Sequence, residues 1–196
     1  MPTETGYTNT GTIMSFGYNP YLSSWSPFHG AVYAVVESIS RYVAIGGDYK
    51  KAWFTFQEYF ERLRTEAVRW GKPFAALLGA YYAQEKLGLA AIGGKDSMSG
   101  SYNELDVPPT LVSFCVGTTD IEKVVSNEFK KADSEVVILR TKMNEEYMPD
   151  FEDLKQNFEL VHKLIGEGKV LSVATVKYGG LADTITKMCV RKSNWI

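Results

Sequence analysis

The residues best suited to chemistry lie in one short stretch, residues 93–100, with the sequence GGKDSMSG. Its glycines allow backbone N–H groups to approach a ligand closely. Lys95 supplies a positive charge for phosphate, and Asp96 supplies a hard oxygen ligand of the kind that Mg²⁺ binds. The stretch therefore indicates a phosphate and metal site. The alternative is a polar turn, because Gly-Gly and Ser-Gly pairs are common in turns.

The P-loop of nucleoside triphosphatases is a more specific interpretation, and this stretch does not fit it. A P-loop has a glycine, four further residues, and then Gly-Lys followed directly by Ser or Thr. Here Asp96 follows Lys95, and Gly88 lies six positions before Gly94 where the motif needs five. A carboxylate thus stands where the motif needs a hydroxyl, and we exclude a P-loop.

Several segments around this stretch match one enzyme family in the same order. They are residues 19–27 (NPYLSSWSP), 54–62 (FTFQEYFER), 70–80 (WGKPFAALLGA) and 106–114 (DVPPTLVSF). With these segments the chain resembles phosphoribosylformylglycinamidine synthase in its large, single-chain form, from about residue 10 to about residue 189. That family uses ATP and glutamine in de novo purine synthesis. Because the large enzyme is several times longer than this chain, the resemblance implies a fragment.

The resemblance also implies a fold and a domain division. The fold is of the α/β (α+β) class with an aminoimidazole ribonucleotide synthetase-like architecture, taken from the second of two synthase-like repeats. Residues 1–107 would be the latter part of a barrel-forming N-terminal domain, and residues 108–196 the beginning of a C-terminal α/β domain. Pro108 and Pro109 lie near the expected junction.

Matching the family motif residue by residue gives a set of site residues. The resemblance implies Mg²⁺ and ATP or ADP as cofactors, with Asp96 and Glu37 as metal ligands and with nucleotide contacts from Gly94, Lys95, Ser97 and Ser99. In an extended chain, Ser97 and Ser99 point to one side and Asp96 to the other. They can share one ligand only if the stretch curls.

Glu37 stands in a helical pattern that departs from the family. The family pattern has asparagine four residues after the glutamate, whereas this chain has Arg41. Asparagine offers an oxygen to Mg²⁺, and arginine offers none. Glu37 and Arg41 are therefore expected either to form an i,i+4 ion pair of about 0.3–0.5 kcal/mol, or to leave Arg41 free to contact phosphate.

Composition limits the remaining possibilities. A chain of 196 residues with 45% hydrophobic residues can bury a core in one or two domains. The formal charge of −2 and the lack of a long basic run argue against nucleic acid and anionic membranes as partners. No apolar run approaches about 20 residues, and residues 1–12 do not form a signal peptide, so we expect a soluble, cytoplasmic protein.

No residue is assigned a catalytic role. Cys115 and Cys189 lack metal-binding spacing and are predicted to be buried thiols. His29 and His162 have no partner nucleophile nearby in the sequence and are predicted to be structural or surface residues.

Hydrophobic periodicity predicts an alternation of helices and strands. The predicted helices cover residues 27–45, 53–63, 73–88, 120–129 and 151–165, with another that opens near residue 181. The predicted strands cover residues 89–92, 110–116, 136–139 and 170–176, and the first of them leads into the glycine-rich loop.

Two functions follow as hypotheses. In the first, the chain builds one nucleotide and Mg²⁺ site of the purine enzyme, together with the remaining domains of that enzyme, and is inactive alone. In the second, it is a structural assembly module whose nucleotide site is degenerate. Because the partner surface of such a module is normally buried, a homodimer of the fragment is also expected.

Overall fold

The structure, a computed structural model, describes residues 6–190, so the ends of both predicted domains, residues 1–5 and 191–196, lie outside it. In chain order the strands are β1 (Thr10–Gly17), β2 (Trp53–Tyr59), β3 (Ala91–Ser97), β4 (Ser101–Tyr102), β5 (Leu105–Asp106) and β6 (Thr110–Asp120). The helices are α1 (Pro20–Trp25), α2 (Pro27–Ala44), α3 (Ala67–Leu87), α4 (Phe151–Gly166) and α5 (Gly180–Val190).

Four of the strands form one mixed sheet in the order β1-β6-β2-β3. Strand β6 pairs antiparallel with both β1 and β2, and β2 pairs parallel with β3. Strands β4 and β5 form a separate small hairpin. The sheet is covered by helices on one face, and β1 and β3 are its two edges.

Helix α2 lies at the centre of the core. Ser26 caps its first turn, and Pro27 occupies the first helical position, where a missing N–H costs nothing. Val32, Val35 and Ile39 are fully buried and share one face of the helix. The helix packs against α3, β1 and β6, and its predicted extent is confirmed.

Small residues let α2 approach the sheet closely. A Cβ added at Gly17 would lie 2.2 Å from the Ala34 carbonyl oxygen and 2.7 Å from the Ser38 nitrogen, both backbone atoms of the helix. Buried hydroxyls join the two layers, because Ser38 Oγ lies 2.8 Å from Ser113 Oγ, and Ser15 donates to the Ser38 carbonyl at 2.5 Å.

The predicted helix over residues 53–63 is wrong, because this segment contains β2. Phe54 is buried beside the exposed Trp53, and Glu58 is half-buried between the exposed Gln57 and Tyr59, as the period of a strand requires. Aromatic residues and Thr55 also favour a strand. The helical spacing of the aromatic residues in the sequence was coincidental.

The glycine-rich stretch is also not a loop in its first part. Strand β3 runs from Ala91 through Ser97, so the predicted strand over residues 89–92 begins later and continues further. Gly94 is needed for close strand approach, since a Cβ there would lie 2.8 Å from the Phe56 carbonyl oxygen. The segment therefore stays extended up to Ser97.

Helix α3 begins at Ala67, about 1.7 turns before the predicted start at Pro73. Arg69 anchors its first turn by ion pairs to Glu61 at 3.6 Å and to Asp106 at 2.9 Å. These contacts fix a turn that the internal proline alone would disfavour. The helix ends as predicted at Gly88, which adopts the left-handed conformation with φ of 69°.

The second half contains less regular structure than its sequence predicts. Helices α4 and α5 are confirmed, but the predicted helix over residues 120–129 is wrong, since only a 3₁₀ turn over Ile121–Lys123 forms. The predicted strands over residues 136–139 and 170–176 are also wrong. A strand needs a neighbour for its backbone hydrogen bonds, and neither segment pairs with one in the described part of the chain.

Two further predictions concern the chain as a whole. The division between residues 107 and 108 stays a prediction, although β6, which follows it, is hydrogen-bonded into the same sheet as β1 and β2. Cys115 is buried as predicted, whereas Cys189 is exposed on α5. Across the described residues, no helix combines the length and apolar character needed to span a bilayer.

Candidate functional site at the edge of the sheet

Two carboxylates stand side by side where β2 and β3 pair. Asp96 is the direct register partner of Glu58 across the parallel strands. Burial and the Asp96 charge raise the pKa of Glu58 from its ordinary value of 4.5 to about 7. Near neutral pH this pair therefore carries between one and two negative charges, at the exposed edge of the sheet.

The pair makes stability depend on pH. The pKa of Glu58 is higher in the folded protein than in the unfolded chain. The stabilisation that results is fully present below about pH 4.5 and is lost as the pH rises through about 7. Glutamine has no charge to lose. In metal-free buffer we expect the stability of Glu58→Gln relative to wild type to rise by about 1–2 kcal/mol from pH 5 to pH 8, after allowance for partial solvent screening. Urea unfolding at each pH measures this difference.

Glu104→Gln is the matched control, because Glu104 is exposed in the turn of the small hairpin. Its stability relative to wild type should stay level over the same range. If the difference in stability between Glu58→Gln and wild type also stays constant from pH 5 to pH 8, the assigned pKa of Glu58 is contradicted.

The predicted phosphate contacts lie beside this pair but on the other face of β3. Ser97 Oγ and Ser99 Oγ are 2.9 Å apart, so the two hydroxyls form one polar group as the alternation predicts. Met98 faces the opposite way and packs against the core. Lys95 donates from Nζ to the Asp96 carbonyl oxygen at 2.6 Å. Because the strand does not curl, a ligand can reach Asp96 and both serines only around the free edge of β3.

A cavity of about 340 Å³ adjoins Ser99. It lies between the end of β2 and the small hairpin, with Tyr59, Ser99 and Ser101 among its lining residues. The hairpin is held by Asp106, which accepts from Ser101 at 2.5 Å and pairs with Arg69. These contacts lower the pKa of the Asp106 carboxyl, with the Ser101 hydrogen bond as the largest cause.

Glu37 lies at the opposite edge of the sheet from Asp96. Its Cβ packs beside Gly17 at the end of β1, whereas Asp96 is on β3, three strand spacings or about 14 Å away across the sheet. Glu37 forms the predicted ion pair with Arg41, at 3.7 Å. Burial raises the pKa of Glu37, and the Arg41 and Lys177 charges partly offset that effect.

The predicted Mg²⁺ ligands must therefore be judged separately. Among the described residues, no group of three or more His, Cys, Asp or Glu side chains could hold a metal ion. Asp96 and Glu58 fit a Mg²⁺ ion that takes its other ligands from water and a nucleotide, since Mg²⁺ is often bound through one or two carboxylates plus phosphates. Glu37 does not fit, because two basic side chains already face its carboxylate.

Sequence reasoning missed Glu58. Had residues 53–59 been assigned to a strand, the alternation would have put Phe54, Phe56 and Glu58 on one face. The pairing of Glu58 with Asp96 depends on strand register, which no local pattern gives.

The remaining titratable candidates are not arranged for catalysis. Burial raises the pKa of the Cys115 thiol to about 12, so it is no thiolate nucleophile near neutral pH. His29 has Nδ1 2.8 Å from Ser26 Oγ and Nε2 3.0 Å from the Glu146 carbonyl oxygen. Its ring therefore joins the start of α2 to residue 146, as a structural histidine does.

The fold is of the mixed α/β class, and it matches solved structures of PurL. PurL of Thermotoga maritima in complex with FGAR matches with a TM-score of 0.61 and 18% identity, over 91% of this chain and 27% of that chain. The same protein in complex with ADP matches with a TM-score of 0.59 and 18% identity, over 81% and 25%. The predicted α/β class is thereby confirmed.

The sequence is also similar to a curated protein. Phosphoribosylformylglycinamidine synthase subunit PurL of Thermococcus sibiricus is 27% identical over 188 residues, which cover 88% of this chain and 26% of that protein. No family model matches the chain. The chain thus spans about a quarter of the length of the proteins that it resembles.

Proposed function

We propose that this chain is a piece of phosphoribosylformylglycinamidine synthase, the ATP- and glutamine-dependent enzyme that converts formylglycinamide ribonucleotide to formylglycinamidine ribonucleotide. The observation that carries the proposal is the 27% identity to PurL over 88% of the chain, together with the shared fold. Within this proposal, the piece belongs to the second repeat of the large, single-chain form. The barrel-forming domain extends to residue 107, the next domain begins at residue 108, and the location is cytoplasmic.

The proposed contribution of this piece is a nucleotide and Mg²⁺ site at the free edge of β3. Asp96 and Glu58 would hold the metal, which offsets phosphate charge when bound. Lys95, Ser97 and Ser99 would donate to phosphate oxygens from the other face of the strand, with Gly94 allowing close approach. PurL of T. maritima binds ADP, which supports ATP or ADP as the ligand here.

The isolated chain is expected to bind and not to turn over. Its buried Cys115 cannot serve as a glutaminase nucleophile, and the described residues contain no third carboxylate or imidazole beside Asp96 and Glu58. Chemistry would need the remaining domains of the enzyme. Within the whole protein, binding at this edge would position a nucleotide and would not transfer protons.

Calorimetric titration with ADP and ATP, each with and without Mg²⁺, tests the site. Wild type should show Mg²⁺-dependent binding, and Asp96→Asn should weaken it at least tenfold, because the amide keeps the shape but loses the charge. Asp133→Asn is the control, since Asp133 is exposed in a turn with φ of 61°, a conformation that asparagine also accepts.

Two results would count against the proposal. If Asp96→Asn and wild type bind nucleotide equally well, the metal site does not lie on β3. If the isolated chain forms product from formylglycinamide ribonucleotide, the proposal that it binds nucleotide without catalysing the reaction is wrong.

An assembly role is the second candidate, and the open face of the sheet favours it. Among residues 6–190, helices cover one face, and the other exposes large apolar side chains from β1 and β2, among them Met14, Phe16 and Trp53. Such a patch on a sheet commonly marks an interface. We propose that it pairs with the corresponding sheet of the longer enzyme, and that isolated copies pair with each other.

A further inference from the structure

A second cavity, of about 290 Å³, lies between helix α2 and residues 175–178. Leu22, Val36 and Val176 supply apolar walls, whereas Glu37 and Lys177 supply charge. The rings of Tyr21 and Tyr178 stack with centroids 5.3 Å apart and hold the segment against α1. One side of the cavity is therefore bounded by Tyr178, which is positioned by its stacking on Tyr21 of α1.

The Glu37 carboxylate in this cavity is already satisfied by the protein. The Tyr18 backbone N–H donates to it, and Arg41 Nη1 lies 3.7 Å away. Arg41 itself is fixed, because it donates to the Phe16 carbonyl oxygen at 2.7 Å and stacks 4.2 Å above the Phe16 ring. A guanidinium held at two further points occupies the side of Glu37 where a cation would bind.

The Tyr33 and Ser40 hydroxyls also line the cavity, but they donate to the Tyr147 and Val36 carbonyl oxygens, both at 2.6 Å. Other residues must therefore supply the donors for a ligand. Asn19 uses Oδ1 to accept from the Tyr21 and Leu22 backbone N–H groups, at 3.1 and 3.2 Å, which leaves its amide N–H groups to donate. Thr175 adds a hydroxyl and Lys177 an ammonium. Among the lining residues, Lys177 is positive and Glu37 is negative, and Arg41, outside the lining, adds a positive charge beside Glu37.

We infer that this cavity binds the phosphate group of a small phosphorylated ligand without a divalent metal, with Arg41 replacing the cation beside Glu37. Lys177 and Asn19 contact the phosphate, and the apolar walls accept the rest of the ligand. The inference differs from the metal role that family resemblance gives to Glu37. It does not depend on the nucleotide site at β3, which lies at the other edge of the sheet.

Calorimetric titration with inorganic phosphate, in a buffer that contains EDTA, tests the cavity directly. Wild type should bind one phosphate, and added Mg²⁺ should leave the affinity unchanged. Lys177→Gln should weaken binding at least tenfold. Lys169→Gln is the matched control, because Lys169 is an exposed lysine of the same segment that pairs with Glu167. Circular dichroism establishes that each variant is folded.

Arg41→Asn provides a second, opposite readout. This change frees the Glu37 carboxylate and adds an oxygen, so phosphate binding in EDTA should fall while binding of Mn²⁺, followed by electron paramagnetic resonance, should appear. The inference is overturned if wild type binds Mn²⁺ and loses it in Glu37→Gln. It is also overturned if folded wild type binds no phosphate, or if Lys177→Gln binds as wild type does.

Discussion

Gly17→Ala is expected to lower the free energy of unfolding by about 3 kcal/mol. The added methyl would lie 2.2 Å from the Ala34 carbonyl oxygen and 2.7 Å from the Ser38 nitrogen. Both are backbone atoms, so no side chain can move aside, and α2 must shift away from β1. That shift would also disturb the buried contact between Ser38 and Ser113. Urea unfolding followed by circular dichroism measures the loss.

Gly71→Ala is the matched control for this substitution. Gly71 lies exposed in α3, and a Cβ there meets nothing within 4 Å. Alanine has the higher helix propensity, so this variant should gain up to about 1 kcal/mol. The same glycine-to-alanine change is therefore expected to lower the free energy of unfolding at residue 17 and to raise it at residue 71. A loss below about 0.5 kcal/mol in Gly17→Ala would mean that α2 is not held against the sheet as described.

Met14→Glu is expected to abolish self-association while leaving the fold intact. The Met14 side chain is 66% exposed in the single chain, so a charge there costs the monomer little. In the sheet it neighbours Val116, which in turn pairs with Trp53, so these three form one row across the open face. Burying an unpaired carboxylate against another apolar sheet costs several kcal/mol, which weakens a dimer more than a hundredfold.

Sedimentation over a range of concentrations measures this effect. Wild type should shift from monomer to dimer as concentration rises, and Met14→Glu should stay monomeric with an unchanged circular dichroism spectrum. Val137→Glu is the control, since Val137 is 70% exposed outside the sheet. A wild type that is monomeric at every concentration would contradict self-association, and dimerisation by Met14→Glu would contradict the choice of surface.

The sequence predicts those parts of this molecule that depend on local chemistry. Both α2 and α4 have a capping residue and an apolar spacing that can be recognised from residues close together in the sequence. The ion pair between Glu37 and Arg41 follows from i,i+4 spacing alone. Alternation also predicts that Ser97 and Ser99 share a side.

Features that depend on distant pairing could not be predicted in the same way. The local sequence of residues 53–59 is compatible with a helix or a strand. Pairing with β6 and β3 makes this segment a strand. The same pairing joins Glu58 to Asp96 and separates Asp96 from Glu37 by the width of the sheet. The sequence thus predicted the β3 residues of the candidate site, whereas it missed Glu58 and the arrangement of the groups. Whether its residues bind the proposed ligands stays a prediction.

The position of β6 between β1 and β2 has a consequence for how the chain is made. In the described part of the chain β6 is the one strand that pairs with β1, and the register joins Thr10 to Asp120 and Gly17 to Ser113. The ribosome therefore completes β1 roughly a hundred residues before its partner, a delay of about 5–20 seconds at ordinary synthesis rates. During that interval an apolar strand with unpaired backbone groups is exposed to the cell. The hydrogen bonds of α2, in contrast, are local, so this helix does not have to wait for β6 before it forms.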